Sequence, residues 1–294
     1  MKIVTAVVNN LIFIEIQYHT LKKFLKCTNT ESYEFIVFND AKAFPDFTNG
    51  GDITIRSKIE EMCLALNIKC ISIPNDHHQY DTCGAGHRCA ESMNYILNYQ
   101  ITNPDKYLLL DSDMFLVDYL DINKYNQYDC AVLLQSRHNH NTNYIWNGIY
   151  YFDIPRMKNL EMLNWNLAHD CDVGGMMQQW LKTQMLNKPM PNTDDLRWKK
   201  GESFNTDSIY FIQHLWSCTW NEEEMPENLK GETYAALLTF LKEDVRNVNQ
   251  KFFCEIYDNV FFHYRAGGNW NNEGMNLHNE LTKKLRKVCE NIWQ

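Results

Sequence analysis

The sequence lacks the features by which several protein classes are recognised. No apolar run is long enough to cross a membrane, and the opening segment has only a short apolar stretch, so we expect neither a transmembrane segment nor a signal peptide. The ten cysteines form no C-x-x-C pair, and there is no N-x-[ST] sequon. These absences argue against a disulfide framework and predict free, mostly buried thiols and a cytoplasmic location.

Motifs of the commonest enzyme classes are also missing. There is no Walker motif, no G-x-S-x-G and no H-E-x-x-H, which argues against the usual P-loop enzymes, α/β hydrolases and metalloproteases. We find no internal repeat and no low-complexity segment. With 37 acidic and 28 basic side chains the formal charge is −9, so no nucleic-acid partner is expected.

What the sequence does have is the composition and patterning of a folded α/β domain. Its 294 residues are 45% hydrophobic and 22% charged, which excludes intrinsic disorder. Apolar and β-branched runs predict strands at 2–8, 33–38, 69–73 and 107–110. Apolar residues spaced by three and four predict helices over 11–25 and 90–101. We therefore predict a mixed, mainly parallel central sheet flanked by helices.

The second half of the chain is less regular. Apolar runs at 129–135 and 148–154 predict two more strands, after which the pattern indicates mainly helical and irregular structure. The segment 277–292 places apolar residues on one helical face and basic residues mostly on the others. We interpret it as a docked terminal helix with a solvated basic face, and a peripheral contact with a membrane or partner is the alternative.

The segment with the most chemical information is LLLDSDMFLV at 108–117. Asp111 and Asp113 stand two residues apart at the end of a buried strand, so both side chains face one way, with Cα atoms roughly 6 to 7 Å apart. At the carboxyl end of a parallel strand, two carboxylates can share a cation that receives a diphosphate. A bare D-x-D is more often an ordinary strand end, but this apolar context favours a site.

In that context the segment resembles the donor site of metal-dependent glycosyltransferases with the GT-A fold. The resemblance implies one catalytic domain over 1–294, with a Rossmann-like nucleotide-sugar-binding half over 1–120 and an acceptor-binding half over 121–294. It implies that Mn²⁺ or Mg²⁺ clamps the diphosphate of a nucleotide sugar, with Asp113 as a direct ligand. Asp111 would touch the metal or the donor ribose, and Ser112 would join the donor contacts.

Three earlier segments fall in the order that this family requires. The first strand resembles the segment under the nucleotide, which implies contacts from Thr5, Ala6, Val8 and Asn10. Asp40, after the second strand, would face the same nucleotide, although Asn-Asp at a strand end is equally a turn signal. The segment GAGHR at 84–88 opens a helix, where Arg88 would meet ribose or phosphate.

Two later segments resemble the retaining members of this fold. WNGIYYFD at 146–153 resembles their N-[ST]-G pattern at Asn147, with one small residue missing before Gly148. FNTDSIY at 204–210 resembles the D-Q-D-x-[LI]-N segment beside the transferred sugar and matches only at Asp207, which becomes the candidate catalytic residue. The alternative for Asp207 is a helix N-cap, because apolar residues follow with helical spacing at 209, 212 and 216.

The last candidate segment is FFHYRAGGNW at 261–270. Neutral imidazole is a good third ligand for manganese, so His263 would complete the metal set. The corresponding pattern of the glycogenin-like and lipopolysaccharide galactosyltransferase-like retaining family is H-x-x-G-x-x-K-P-W. Here the glycine comes one residue late and neither Lys nor Pro precedes Trp270. Arg265 is the nearest cationic substitute for that Lys at a leaving diphosphate.

Other polar and aromatic clusters are weaker candidates. His77-His78 and His138-x-His140 lie in polar segments and are less persuasive as metal ligands. Several aromatic side chains are predicted to be exposed and to stack on sugar faces, namely Trp146, Tyr150, Trp180, Trp198 and Trp270.

These patterns predict a glycosyltransferase that moves a sugar from a nucleotide-diphosphate sugar to a carbohydrate or glycoconjugate acceptor. A UDP-sugar is favoured and a GDP-sugar stays open. One alternative is a metal-dependent nucleotidyltransferase, although VNNL at 8–11 is not the Gly-rich basic loop expected of that class. The other is a catalytically inert glycan-binding module. The sequence leaves the acceptor and the stereochemical outcome open.

Overall fold

The computed structural model describes residues 1–27, 32–81, 83–137, 142–168, 171–186, 188–198, 204–270 and 272–294. His138 and His140 lie outside them. The described strands are β1 (Lys2–Val7), β2 (Leu25–Lys26), β3 (Glu34–Asn39), β4 (Lys69–Ser72), β5 (Lys106–Leu110), β6 (Met114–Leu116), β7 (Leu120–Asp121), β8 (Cys130–Arg137), β9 (Thr142–Asp153), β10 (Ile209–Phe211), β11 (His214–Leu215), β12 (Glu255–Tyr257) and β13 (Phe261–His263).

Helices alternate with these strands. The α-helices are α1 (Leu11–Phe24), α2 (Ile55–Ala65), α3 (Ala85–Thr102), α4 (Asn123–Asn126), α5 (Met177–Gln184), α6 (Ala235–Glu243) and α7 (Asn272–Trp293). Short 3-10 helices span Asp76–Gln79, Leu160–Met162, Thr193–Leu196, Glu222–Glu224, Glu227–Leu229 and Glu232–Tyr234. None of the helices in the described ranges combines the length and the apolar character that crossing a bilayer demands.

Seven of the described strands form the central sheet, in the order β4-β3-β1-β5-β9-β8-β10. β1 pairs in parallel with β3 and β5, β3 with β4, and β8 with β10. β9 runs antiparallel between β5 and β8. The predicted fold class, a mixed and mainly parallel sheet flanked by helices, is confirmed.

Both faces of the central sheet are covered. One buried cluster joins Ile3 and Val7 of β1 to α1, α2, α6 and α7, and a second joins Val4 to α3 and α5. β1 therefore buries alternate side chains in two different cores, which is why its sequence is apolar without alternation. The terminal helix α7 packs its apolar face against the first core and leaves Lys283, Lys284 and Lys287 exposed.

A second, antiparallel sheet has the strand order β11-β12-β13-β6. The expectation of mainly helical and irregular structure after residue 154 is confirmed for most of the described residues there, but four short strands, β10 to β13, also lie in that part of the chain. The helix considered as the alternative after Asp207 is absent, since the strand β10 begins at Ile209. The apolar residues at 209, 212 and 216 have helical spacing, but they lie on β10, directly after it and directly after β11.

All ten cysteines lie among the described residues, and none of them forms a disulfide there. Five are buried and five are partly exposed, so the thiols are less uniformly buried than the sequence led us to expect.

Candidate metal and donor site

The two aspartates lie where the chain leaves the central sheet. β5 ends at Leu110 and β6 begins at Met114 in the small sheet, so Asp111 and Asp113 form the connection between the two sheets. From β1 the chain builds outward to β3 and β4 and then returns to β5 on the other side of β1. Open α/β sheets bind ligands at such a reversal, outside the carboxyl ends of the strands.

Backbone contacts fix the conformation of this connection. The Asp111 N–H donates to the Gly148 carbonyl at 2.7 Å, which continues the pairing of β5 with β9. The buried amide of Gln17 on α1 donates to the carbonyls of Asp111 and Met114, at 2.7 and 3.0 Å. The Ser112 N–H donates to Asp111 Oδ1 at 2.7 Å. Gln17 and Ser112 therefore orient the connection, and nothing in the local sequence had marked Gln17.

His263 reaches the aspartates across the small sheet. In the antiparallel pair of β6 and β13, His263 stands opposite Met114, one residue from Asp113. His263 Nε2 lies 3.0 Å from Asp113 Oδ1, and the Gly267 N–H donates to Asp113 Oδ2 at 2.7 Å. One ligand atom each from Asp111, Asp113 and His263 lies within 4.8 Å of the others.

A buried glutamate holds the other side of the imidazole. Glu255 stands opposite His263 in the pairing of β12 and β13, and its Oε2 lies 2.8 Å from His263 Nδ1. The Tyr257 hydroxyl donates to the same oxygen at 2.6 Å, and the Ser217 N–H donates to Oε1 at 3.0 Å. Sequence analysis missed Glu255, whose only signal was a single charge inside the apolar run FFCEIY at 252–257.

Burial and mutual charge set the protonation of this cluster. Burial and the neighbouring Asp113 raise the pKa of Asp111 to about 7. For Asp113, burial alone would raise the pKa, but the charge and hydrogen bond of His263 and the Gly267 N–H hold it below its usual range. Burial would lower the pKa of His263, but Asp113 and Glu255 raise it to about 10. The negative charge of Asp113 is therefore stabilised by its neighbours, whereas the negative charge of Asp111 is not.

The donor set fits a divalent cation. Two carboxylates and one imidazole are ligands that suit manganese. A metal-binding histidine is commonly oriented by a carboxylate that binds its other ring nitrogen. For His263 that carboxylate is Glu255. A cation between Asp111 and Asp113 would remove the repulsion that raises the pKa of Asp111. The residues present thus match the group that the sequence predicted.

The loop after His263 is strained and well supported. Arg265 and Ala266 have φ values of 66° and 60°, in the left-handed region that costs a non-glycine residue about 1 to 2 kcal/mol. Arg246 donates to the Arg265 carbonyl at 2.8 Å and pairs with the buried Asp244 at 2.7 Å. This support holds the loop so that the Gly267 N–H reaches Asp113. A Cβ at Gly267 would lie 2.6 Å from the Phe13 ring, so the close approach needs glycine.

An aromatic wall stands beside the cluster. The ring centroid of Trp146 lies 5.4 Å from that of His263 and 5.8 Å from that of Tyr257. Trp146 and Gly148 are two residues apart on β9, and the indole covers the glycine. A Cβ at Gly148 would lie only 2.0 Å from the Trp146 ring. Gly148 is therefore required by the position of Trp146.

Asp40 is engaged within the protein. Its Oδ1 accepts from Lys42 Nζ at 2.9 Å and from Asn75 Nδ2 at 2.8 Å, and its Oδ2 accepts from the Ser92 hydroxyl at 2.8 Å. Lys42 and Asn75 are themselves buried. The predicted nucleotide contact of Asp40 is thus replaced by a buried polar cluster that joins the ends of β3 and β4 to α3.

Arg88 and Asn10 also have internal partners. Arg88 Nη1 donates to Asp46 at 2.8 Å, and its Nη2 donates to the carbonyls of His78 and Asp81. Asn10 accepts from the Ile12 N–H as the N-cap of α1 and donates to Thr282 of α7 at 3.1 Å. The hydrogen-bond partners described for both side chains lie away from the cluster around Asp113.

The other residues of the first strand divide between the two cores. Thr5 is fully buried, and Ala6 packs against the core beneath α3. Val8 lies beside the loop after His263, since a Cβ on Gly268 would lie 3.4 Å from Val8 Cγ1. Val8 is thus next to the loop whose Gly267 N–H donates to Asp113.

Asn147 lies among acidic groups. Its amide donates to the Cys89 thiol at 3.6 Å. Burial raises the pKa of Cys89, and the charges of Asp111, Asp40 and Asp172 raise it further. Asp172 is exposed and also raises the pKa of Asp111. Asp172 is thus an acidic group of the second half of the chain whose charge acts on Asp111.

Asp207 lies on the wrong side of the sheet for the role predicted for it. It precedes β10, which runs parallel to β8 and hence in the direction of β5, so Asp207 is at the amino edge while Asp111 is at the carboxyl edge. Three strand spacings and six residues of rise separate the two positions by roughly 24 Å. The Asp207 side chain is fully exposed and pairs with Lys188 at 3.3 Å.

The prediction that five aromatic side chains are exposed is partly wrong. Tyr150 and Trp180 are buried, and the Trp180 indole donates to the Lys158 carbonyl. Trp146, Trp198 and Trp270 are partly exposed. Only the last three can present a ring face to a ligand.

Comparison with known proteins adds little to this geometry. No protein-family model matches the chain, and no curated protein matches its sequence. Among solved structures, it is similar to the galactosyltransferase LgtC in complex with donor and acceptor sugar analogues. The two share 12% identity over 65% of this chain and 67% of that one, with a TM-score of 0.35. A similarity this slight says nothing about activity, and the fold class rests on the strand order and directions given above.

Proposed function

We propose that this protein is a metal-dependent glycosyltransferase that uses a nucleotide-diphosphate sugar as donor and a carbohydrate or glycoconjugate as acceptor. One observation carries the proposal. Asp111 and Asp113 lie in the connection between β5 and β6, His263 follows Asp113 by 150 residues on β13, and their ligand atoms come within 4.8 Å of one another at the carboxyl edge of the sheet. That edge is where α/β sheets bind nucleotides.

Each ligand has a separate support in the chain. Gln17 and Ser112 orient Asp111, the Gly267 N–H orients Asp113, and Glu255 orients His263. A bound Mn²⁺ or Mg²⁺ would supply Lewis-acid stabilisation of the leaving diphosphate. The chain itself would contribute Arg265, whose half-exposed guanidinium donates to Ser217 at 2.6 Å and lies 3.8 Å from Glu255. The Arg265 guanidinium would attract the diphosphate and stabilise the negative charge that the diphosphate gains as it leaves.

The donor and acceptor would occupy different halves of the chain. We assign the nucleotide to the half over 1–120, with a UDP-sugar favoured, and the acceptor to the half over 121–294. In the second half, the partly exposed Trp146 offers a ring face beside His263, and the exposed Asp172 adds a carboxylate whose charge raises the pKa of Asp111. Aromatic faces and carboxylates are common sugar-binding groups. The cytoplasmic location predicted from the sequence stays a prediction.

The experiment is a thermal-shift panel of UDP, GDP, CMP and their sugars, each with and without Mn²⁺. A ligand at 100 times its dissociation constant stabilises by about 2.7 kcal/mol, which is a shift of several degrees. We expect one diphosphate to shift the melting temperature only with Mn²⁺. Asp113→Asn should abolish the shift, and the matched control Asp195→Asn, at an exposed carboxylate of the 3-10 helix Thr193–Leu196, should keep it.

Two outcomes would contradict the proposal. No shift with any pair, or an equal shift in Asp113→Asn, would remove the metal-dependent donor site. If the donor binds, turnover decides the chemistry. Release of pyrophosphate would indicate a nucleotidyltransferase, and glycan binding that needs neither donor nor metal would indicate an inert module.

A further inference from the structure

A second group of metal-type side chains lies near the start of α3. His77 Nε2 and His78 Nε2 both point at one oxygen of Glu91, Oε2, at 3.1 and 2.6 Å. The three atoms lie within 4.8 Å of one another. None of these residues takes part in the cluster around Asp113, and the sequence had marked only the two histidines.

Two rigid elements carry these side chains. The histidines lie on the 3-10 helix Asp76–Gln79, and Glu91 lies on α3. Arg88, one turn before Glu91, donates to the His78 carbonyl at 3.1 Å and pairs with Asp46 at 2.8 Å, which fastens the 3-10 helix to α3. The His78 side chain is 2% exposed, whereas those of His77 and Glu91 are 58% and 47% exposed. One ligand is thus fixed, and two remain open to an entering ion.

We propose that His77, His78 and Glu91 form a second metal site, for Zn²⁺ or a closely similar ion, independent of the site at Asp113. Two imidazoles and a carboxylate are the ligands of an open zinc site, in which water fills the remaining position. Imidazole ligands favour Zn²⁺ over Mg²⁺.

Metal binding requires a specific tautomer of His78. With Nε2 on the metal, the ring proton lies on Nδ1, and among the described residues that buried atom has no hydrogen-bond partner. Metal-binding histidines usually donate this proton to an acceptor. We therefore expect weaker binding here than in a four-ligand structural zinc site. A bound ion would also hold the 3-10 helix Asp76–Gln79 against α3, where Arg88 already joins the two elements.

The test is a Co²⁺ titration of the untagged full chain, followed by visible absorption and by counting bound ions after equilibrium dialysis. We expect His77→Ala and Glu91→Gln each to remove one bound Co²⁺ relative to the wild-type chain, with affinity at that site falling on the order of 100-fold or more. His87→Ala is the matched control, because His87 is an exposed histidine on the same helix, outside the cluster. It should bind as the wild type does.

The same titration distinguishes the two sites. Asp113→Asn should affect only the site at Asp113. His77→Ala should therefore lower the number of bound ions by one in the Asp113→Asn background too, whether or not the site at Asp113 binds an ion. Zn²⁺ should displace the ion at His77 at stoichiometric concentration, and Mg²⁺ in large excess should not. An unchanged count in both His77→Ala and Glu91→Gln would overturn the site, and displacement by Mg²⁺ would overturn its assignment to zinc.

Discussion

Gly148 allows a sharp test of how the site is packed. Its substitution by Ala would place a Cβ 2.0, 2.2 and 2.5 Å from three carbons of the Trp146 ring. Carbon atoms in contact sit about 3.5 to 4.0 Å apart, so the indole must move by about 1.5 Å. It cannot do so freely, because its ring lies against Tyr257 and His263. Overpacking of this kind costs typically 1 to 3 kcal/mol.

The assay is urea unfolding of four chains, namely wild type, Gly148→Ala, Trp146→Ala and the double variant. If the ring overlap causes the loss, Gly148→Ala should destabilise the wild-type chain by about 1 to 3 kcal/mol and have little effect once Trp146 is Ala. The coupling energy should then fall within the range of about 0.5 to 3 kcal/mol found for contacting residues. Displacement of the indole should also weaken Mn²⁺ binding through His263.

A second glycine provides the control. Gly84 stands before α3 with a φ of −68°, and a Cβ there would meet nothing within 4 Å. Gly84→Ala should therefore change the unfolding free energy by less than about 1 kcal/mol, because the loss of a glycine N-cap and the lower entropy of the unfolded chain oppose each other. Strictly additive effects of Gly148→Ala and Trp146→Ala, or a loss no larger than that of Gly84→Ala, would refute the reasoning.

Three further predictions concern Glu255, the pH dependence of the unfolding free energy, and Asp207. Glu255→Gln should weaken Mn²⁺ binding ~10- to 100-fold in an equilibrium titration, because His263 loses its charged partner, whereas Glu224→Gln, which breaks ion pairs elsewhere, should bind normally. Burial lowers the pKa of His214 from 6.5 to about 4, so the unfolded chain takes up the proton first as the pH falls. Between pH 6.5 and 4 the wild type should lose about 3 kcal/mol of unfolding free energy that His214→Gln retains, and parallel urea profiles would contradict this. Asp207→Asn should leave the metal-dependent thermal shift and any turnover unchanged, and a tenfold loss of turnover would show that Asp207 does reach the site.

Much of the fold was predictable because its signals are local. The runs at 2–8 and 107–110 have no polar alternation, which fits strands buried on both faces, and the spacing of apolar residues over 11–25 fits α1. What failed was the region around β10. There the apolar residues at 209, 212 and 216 satisfy a helical spacing by chance, and pairing with β8 and with the small sheet decides the outcome.

The candidate site shows the same division between local patterns, which could be read from the sequence, and contacts between distant segments, which could not. The D-x-D pattern is local and was found, and His263 was predicted from its company of aromatic and glycine residues. Glu255 and Gln17 were missed because their roles depend on which strand and helix pack beside the connection. Asp40 and Arg88 were expected to contact a nucleotide, but buried partners from other segments take up their hydrogen bonds.

The sequence by itself determined the fold class and the presence of two carboxylates directly after a buried strand. These depend on apolar periodicity and on the order of residues along the chain. Only the tertiary structure decided which residues meet those carboxylates. The register of β6 with β13 puts His263 on Asp113, that of β12 with β13 puts Glu255 behind it, and the direction of β10 puts Asp207 at the far edge. Pairing between distant segments is set by the packing of the whole chain, and no local pattern encodes it.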